Sequence, residues 1–319
     1  MSFILSVGEN QTEFNDSIQS ELAEVKKLIH VHTRSKFKDV QKIVTDVMQN
    51  EGKMLRPYLV ILGANFGRYE RERHVKLAGA VEILHMATLV HDDIIDEAKL
   101  RRNQASIQSK YGKDMAVYTG DYLLSKSISI LNGDSFNAEN SRRLSEAIAQ
   151  ICESELMQYQ NRFRALSIKN YLRVISGKTA ALFAVSLYVG AVESGCDENL
   201  SKMLGRIGYE LGMAFQIIDD ILDFDINQSK VGKSTMSDFI NGYYTIPILL
   251  ALQKGTGNVD SLSKEAMMDF VKANRGLDSA RELAHKYTER AFKRIDLLPD
   301  CDAKAVLNLF AKKLVDREY

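Results

Sequence analysis

Prolines are scarce in this chain, with only Pro57, Pro247 and Pro299 in 319 residues, and no Gly/Ser-rich or single-sign charge run interrupts it. Nothing therefore reads as a linker, and a 45% hydrophobic composition is enough for one large core, so a single domain over residues 1–319 is expected. Net charge is lacking too, since 42 Lys and Arg balance 42 Asp and Glu. That balance excludes a global field that would attract a nucleic-acid backbone or an anionic membrane, so any basic site has to be local. The three cysteines, Cys152, Cys196 and Cys301, are odd in number, far apart and without Cys-x-x-Cys spacing. They argue against a disulfide framework or a zinc site, and suit a reducing cytoplasm.

Long apolar runs are also missing. The longest, Ala180–Val192, is about 13 residues, below the roughly 18 to 20 that cross a bilayer, so it reads as a buried core helix rather than a transmembrane segment. Met1–Val7 is apolar but short, lacks a basic region and runs into Glu9 and Glu13, so no signal peptide is expected and the chain is placed in the cytoplasm. Period-two runs of β-branched residues are absent where a sheet would need them, and Asn132-Gly133 and Asn241-Gly242 fall between helical patterns instead.

What is there is helical periodicity. Apolar residues recur at spacings of three and four, as in Val75, Ala78, Ile83, Ala87, Val90, Ile94 and in Met203, Ile207, Leu211, Phe215, Ile218, Leu222, which predicts an all-α chain of roughly ten or more helices. Breaks are expected at Gly63–Arg68, Ser106–Asp114, Asn132–Asn140, Glu193–Glu198, Asp225–Lys233 and Lys254–Asp260, where Gly, Asn, Asp and Ser gather. The polar stretch Asp225–Lys233 reads as a flap over a site.

Two of these helices end in the same pattern, His91-Asp-Asp-Ile-Ile-Asp96 and Ile218-Asp-Asp-Ile-Leu-Asp223. Three aspartates at set positions are expected by chance about once in 4,000 windows, so two copies in one chain ask for a cause. Asp92 and Asp96, and likewise Asp219 and Asp223, stand one helical turn apart on one face, where like charges cost a few tenths of a kcal/mol per pair. A solvated acidic helix end is the bland alternative, but it does not explain why such pairs arise twice beside Ile and Leu. A hard cation does. Carboxylates without neighbouring His or Cys ligands suit Mg2+, which shares its shell among water, one or two carboxylates and substrate phosphates.

A phosphorylated substrate also needs protein cations. Lys53, Arg56, Arg101, Arg102, Lys178 and Lys233 are placed for that, although each one alone reads better as a solvated surface charge.

Together these residues resemble the trans-isoprenyl diphosphate synthase family from Gly52 to about Leu250. Gly52-Lys-Met-Leu-Arg-Pro57 is similar to that family's Gly-Gly-Lys-Arg-x-Arg-Pro motif, and Ile83–Asp96 to its first Asp-rich motif. The Arg101-Arg102 pair, Gly120-Asp-Tyr-Leu-Leu124, Gly177-Lys-Thr179, Phe215–Asp223 and Gly232-Lys233 match in turn. The sequence departs from the pattern at Glu51, Met54 and Asn103. The resemblance implies the isoprenoid synthase fold, an antiparallel helix bundle around a central cavity, and a catalytic subunit of the long-chain heptaprenyl, hexaprenyl or octaprenyl type.

It further implies that Lys53, Arg56, His85 and Arg102 bind isopentenyl diphosphate, while Arg101, Lys178, Thr179, Gln216 and Lys233 hold an allylic diphosphate, farnesyl or geranylgeranyl. Asp92, Asp96, Asp219 and Asp223 would chelate up to three Mg2+ ions. The chemistry would be ionisation, condensation and elimination, with Thr179 and Gln216 stabilising the allylic cation. His85 taken alone reads as either a phosphate ligand or a hydrogen-bonded core residue, and the resemblance favours the first; His91 is read as structural. Product length in the family depends on bulk just before the first Asp motif. Ala87 and Thr88, both small, imply a deep tunnel and a product of about C30 to C40 for a quinone side chain, unless Ala87 is a helix-contact residue only. A homodimer, or a heterodimer with a small regulatory subunit, is the expected assembly, with transient membrane association for product release.

The rival readings are a short-chain synthase (C15 or C20), a His-Asp metal phosphohydrolase built on His91-Asp92, a terpene cyclase, and an inert partner subunit. The phosphohydrolase leaves the second Asp cluster unexplained and needs more histidine than the six present. An inert partner would be expected to lose aspartates, and all six are kept.

Overall fold

In the computed structural model residues 9–49, 52–102, 104–133, 136–224, 236–255 and 262–315 are described. Among them are fifteen α-helices, one π-helical turn and a single pair of two-residue strands, so the all-α expectation holds. The strands, Leu100–Arg101 and Gln104–Ala105, pair antiparallel, the one piece of sheet. The Asp225–Lys233 flap lies outside the described residues. The chain divides into two compact units: residues 1–143, 186–201 and 301–306 form the first, and 144–185, 202–300 and 307–319 the second.

The first unit is organised on helix α4 (Arg71–Ile95), against which α1 (Glu9–His32), α3 (Leu55–Ala64) and α6 (Lys113–Gly133) pack. Leu77, Ala80, Ile83, Leu84, Ala87 and Val90 of α4 are buried, which is the three-and-four spacing read from the sequence. At its N-terminus His74 Nδ1 accepts from the backbone N–H of Glu70, the N-cap residue, at 2.9 Å. Two glycines let backbones touch in this unit. A Cβ on Gly63 would stand 2.4 Å from the Leu187 carbonyl oxygen, and one on Gly190 2.1 Å from that of Val60.

The second unit centres on α10 (Glu198–Leu222) from residue 202 onward and on α12 (Ile246–Leu252). Met213, Ile217, Ile218, Ile221 and Phe224 form one cluster with Tyr171, Ile246, Leu249, Met267 and Val271. Pro247 lies in the first turn of α12, where its missing N–H costs nothing. Upstream, α8 (Ile168–Ile175) runs through the π turn Ser176–Ala180 into α9 (Ala181–Glu193). That joined run, Ile168–Glu193, is long and apolar enough by length and composition to cross a bilayer, with 72% of its most apolar window buried in the fold. Only its C-terminal half, Ala180–Val192, is a continuous apolar run in the sequence, because Ser176, Lys178 and Thr179 interrupt the pattern where the π turn sits.

Candidate active site

In the first unit the site is built on one stripe of α4. His85, Leu89, Asp92 and Asp96 follow at spacings of four, three and four, so they share a face while Ala87 and Val90 turn into the core. Asp92 and Asp96 are both half-buried. The aspartate between them behaves differently: Asp93 is buried, and Arg101 Nε donates to both its oxygens at 2.8 Å. Arg101, expected to hold a diphosphate, is thus committed to an aspartate of the same motif.

Beside the stripe, Arg56 Nη1 lies 2.8 Å from His85 Nε2. Arginine can only donate, so His85 Nε2 accepts and the ring proton sits on Nδ1. Burial, and then the charges of Arg56, Arg101 and Arg102, hold His85 well below its ordinary value, so the ring is neutral. Burial likewise lowers Arg56 to about 10, with Glu82 and Asp92 opposing that shift. The guanidinium remains charged at neutral pH. Glu82, buried one turn before His85, attracts Arg102 as well, and with Gly52, Met54, His85 and Arg102 it borders a cavity of about 20 Å³. A Cβ on Gly52 would stand 2.7 Å from Arg102 Nη2, so the absence of a side chain there makes room for the guanidinium. Arg102 itself holds a left-handed backbone, φ 52°, after the first strand. Lys53 is exposed one residue away from Gly52, and Met54, the departure from the family pattern, is buried in the cavity wall. Glu51 and Asn103 lie outside the described residues.

Thr88 donates through Oγ1 to the His85 carbonyl at 2.8 Å, and Ala87 is buried. His91 stands against α6, its Nε2 3.4 Å from both the Val117 carbonyl and Asp121 Oδ1. A Cβ on Gly120 would come within 2.2 Å of that ring, which explains the glycine of the Gly120-Asp121 motif.

In the second unit Gly177, Lys178 and Thr179 occupy the π turn. Gly177 permits a close crossing with the helix Ala138–Gln160, since a Cβ there would meet Ser154 Oγ at 2.0 Å and the Gln150 carbonyl at 2.6 Å. Lys178 Nζ reaches Glu155 Oε2 at 3.0 Å and Gln158 Oε1 at 3.1 Å. Thr179 donates to Gln216 Oε1 at 2.7 Å, and Gln216 Nε2 donates to Asp220 Oδ1 at 3.1 Å. Tyr171 donates to Asp220 Oδ2 at 2.5 Å. Burial pushes the Asp220 carboxyl well above the usual carboxylate range against the pull of those two donors, and burial beside Asp220 pushes the Tyr171 phenol up.

Asp219 is exposed and Asp223 half-buried, one turn apart on α10 and its continuation. Asp223 accepts at Oδ1 from Ser237 N–H at 3.2 Å and Ser237 Oγ at 3.1 Å, and burial raises its carboxyl. Lys233 lies outside the described residues.

Each Asp cluster therefore divides alike. The second aspartate is buried and engaged by protein donors, and the first and third share a helix face. Among the described residues no group of three or more His, Cys, Asp or Glu is arranged to hold a metal alone. Two carboxylates per cluster, with no softer ligand beside them, fit Mg2+ that completes its shell with water and substrate phosphate. Glu82, Tyr171 and Glu155 are not expected from the sequence, and Asp220 is expected only as a member of its Asp cluster. Glu82 had a signal, its spacing of three from His85, whereas Thr179 lies in the π turn that follows α8, which breaks helical counting from Tyr171.

A family model described as polyprenyl synthetase matches residues 37–282. Heptaprenyl diphosphate synthase component 2 of Geobacillus stearothermophilus is 33% identical over 312 residues, covering 95% of this chain and 97% of that protein. The crystal structure of heptaprenyl diphosphate synthase from Staphylococcus aureus matches with a TM-score of 0.87 at 34% identity, over 94% of this chain and 98% of that one. A polyprenyl synthase from Caulobacter crescentus, crystallised with calcium and isoprenyl diphosphate, matches with a TM-score of 0.87 at 28% identity, over 95% of this chain and 96% of that one. These neighbours carry the isoprenoid synthase fold, and the family generally uses a divalent metal. The match runs nearly from end to end of both this chain and its relatives, and the chain belongs to the polyprenyl synthetase family of prenyl transferases.

Proposed function

We propose that this chain condenses isopentenyl diphosphate, 1′-4 and in trans, onto farnesyl or geranylgeranyl diphosphate to make a polyprenyl diphosphate of about C30 to C40 for a quinone side chain. The observation that carries this reading is the meeting of Arg56, Arg102 and a neutral His85 beside the Asp92–Asp96 stripe. A family member that only ionises an allylic diphosphate has no use for a second phosphate-binding cluster.

In this reading Lys53, Arg56 and Arg102 bind the isopentenyl diphosphate, and His85 donates from Nδ1 while Arg56 fixes its tautomer. Arg101, Lys178 and Lys233 hold the allylic diphosphate; Lys178 would exchange Glu155 for a phosphate oxygen, and Arg101 would share Asp93 with one. Asp92, Asp96, Asp219 and Asp223 hold Mg2+, up to three ions. When bound, Mg2+ neutralises charge building on the leaving diphosphate. Thr179 directs its hydroxyl proton to Gln216, which leaves lone pairs on Oγ1 to face positive charge at the allylic carbon. No side-chain nucleophile takes part.

The small buried Ala87, with Thr88 folded back on the His85 carbonyl, supports a long product, as do relatives named for heptaprenyl diphosphate. We further propose one catalytic domain over 1–319, cytoplasmic, with transient contact with the membrane to release product. It would act as a homodimer or with a small regulatory subunit, the second arrangement suggested by the words "component 2" in a relative's name. The decisive experiment incubates purified protein with Mg2+, farnesyl diphosphate and labelled isopentenyl diphosphate and sizes the products. Products of about C30 to C40 are expected; no elongation, alone or with a candidate small subunit, overturns the reading, and C15 or C20 products place it among short-chain synthases.

A further inference from the structure

Four side chains of the second unit form an unbroken line of hydrogen bonds: Tyr171 to Asp220, Gln216 to Asp220, and Thr179 to Gln216, at 2.5, 3.1 and 2.7 Å. Tyr171 and Asp220 are 4% and 1% exposed, so they are set inside the core, whereas Gln216 is only half-buried. The line contains one ambiguous group. A glutamine amide has nearly the same shape when turned over, and its neighbours decide which end faces which way.

Here that choice matters. With Oε1 toward Thr179, the threonine hydroxyl spends its proton on Gln216 and keeps its lone pairs. Turned over, the amide would donate into Thr179 Oγ1 and consume a lone pair, while Oε1 would face Asp220 Oδ1, acceptor against acceptor. The acceptor on Asp220 therefore enforces the first orientation. Asp220 can play that part only while its carboxylate plane is held, and the hydroxyl of Tyr171 grips its other oxygen. The π turn contributes as well. It holds Thr179 and changes the register of that residue relative to Tyr171 on α8, so one helical run touches both ends of the line.

We propose that Tyr171 is a positioning residue for prenyl transfer: by anchoring Asp220 it locks the Gln216 amide with its carbonyl toward Thr179, and so presents electron-rich oxygens to the allylic cation. Tyr171 acts through Asp220 and Gln216 alone. The inference rests on the roles proposed above for Thr179 and Gln216.

The test is Tyr171→Phe, which removes one oxygen and keeps the ring in its core cluster. With Mg2+, farnesyl diphosphate and isopentenyl diphosphate, kcat is expected to fall about tenfold, the scale of one lost buried hydrogen bond, with both KM values within about twofold of wild type. In a Gln216→Ala background the same change is expected to have no further effect. The Gln216 side-chain amide resonance, identified by its loss in Gln216→Ala, is expected to shift in Tyr171→Phe without any substrate present. Unchanged kcat, losses that multiply in the double variant, or an unmoved resonance each overturn the inference. A wild type that fails to elongate would sink the functional reading instead, and the resonance would still decide the Tyr171 link. Should Tyr171→Phe not fold, proton exchange at the Gln216 amide of the wild type decides it: protection is expected, and exchange as fast as at exposed glutamines overturns the link.

Discussion

Arg101 closes on Asp93, its Nε 2.8 Å from each carboxylate oxygen, so the middle residue of the first Asp cluster is a structural anchor for the arginine beside it. Asp93 is buried, and removing its partner leaves an uncompensated charge inside the protein. Arg101→Ala is expected to lower stability by about 3 kcal/mol, read from urea unfolding. Asp93→Asn, which keeps shape and loses charge, is expected to cost less. Wild-type stability in both variants would show that the pair contributes nothing.

Asp92 and Asp219 should behave in the opposite way. They share helix faces with Asp96 and Asp223 and are not part of the cores, so Asp92→Ala and Asp219→Ala are expected to leave the unfolding midpoint nearly unchanged. Activity is expected to fall at least about a hundredfold, with more Mg2+ needed for half-maximal rate. Chelation of divalent ions by EDTA is expected to abolish turnover in the wild type, and added Mg2+ to restore it. Full activity in Asp92→Ala would remove the metal assignment.

Ala87 offers a test of product length. The residue is buried on α4 five residues before Asp92, and a tyrosine there would block any channel that passes it. Ala87→Tyr is expected to shift products toward shorter chains in a thin-layer or mass-spectrometric sizing assay. Unchanged chain length at reduced rate would assign Ala87 to helix contact only.

His85 gives a pH signature with a definite sign. Because its folded value lies well below the ordinary one, the unfolded chain binds a proton at His85 that the folded chain refuses. Stability is therefore expected to fall as pH drops below about 6.5, with each refused proton contributing a slope of about 1.4 kcal/mol per pH unit. His74, lowered by burial, acts in the same direction. His85→Gln, which still accepts from Arg56, is expected to make the slope shallower without removing it. An unaltered slope in urea-unfolding free energies across that range would show that His85 protonates as readily in the fold as in the unfolded chain.

The sequence by itself determined the helical class, because spacings of three and four fix which face of a helix is apolar wherever that helix packs. It also determined that Asp92 shares a face with Asp96 and Asp219 with Asp223, since one helical turn is a local quantity. It left the partners of the intervening aspartates open. Asp93 and Asp220 occupy the same place in the same pattern, yet one is held by Arg101 and the other by Tyr171 and Gln216. Those choices belong to the tertiary structure. Tyr171 reaches Asp220 across 49 positions of sequence, and the π turn that carries Thr179 puts both in contact with α10 in a register that helical counting misses. Local spacing sets the direction in which a side chain leaves its own helix; which side chain it meets depends on how closely the neighbouring helix approaches. Here that distance is set by Gly208 and Gly212 of α10, where a Cβ would strike the Phe183 carbonyl and the Ala180 backbone.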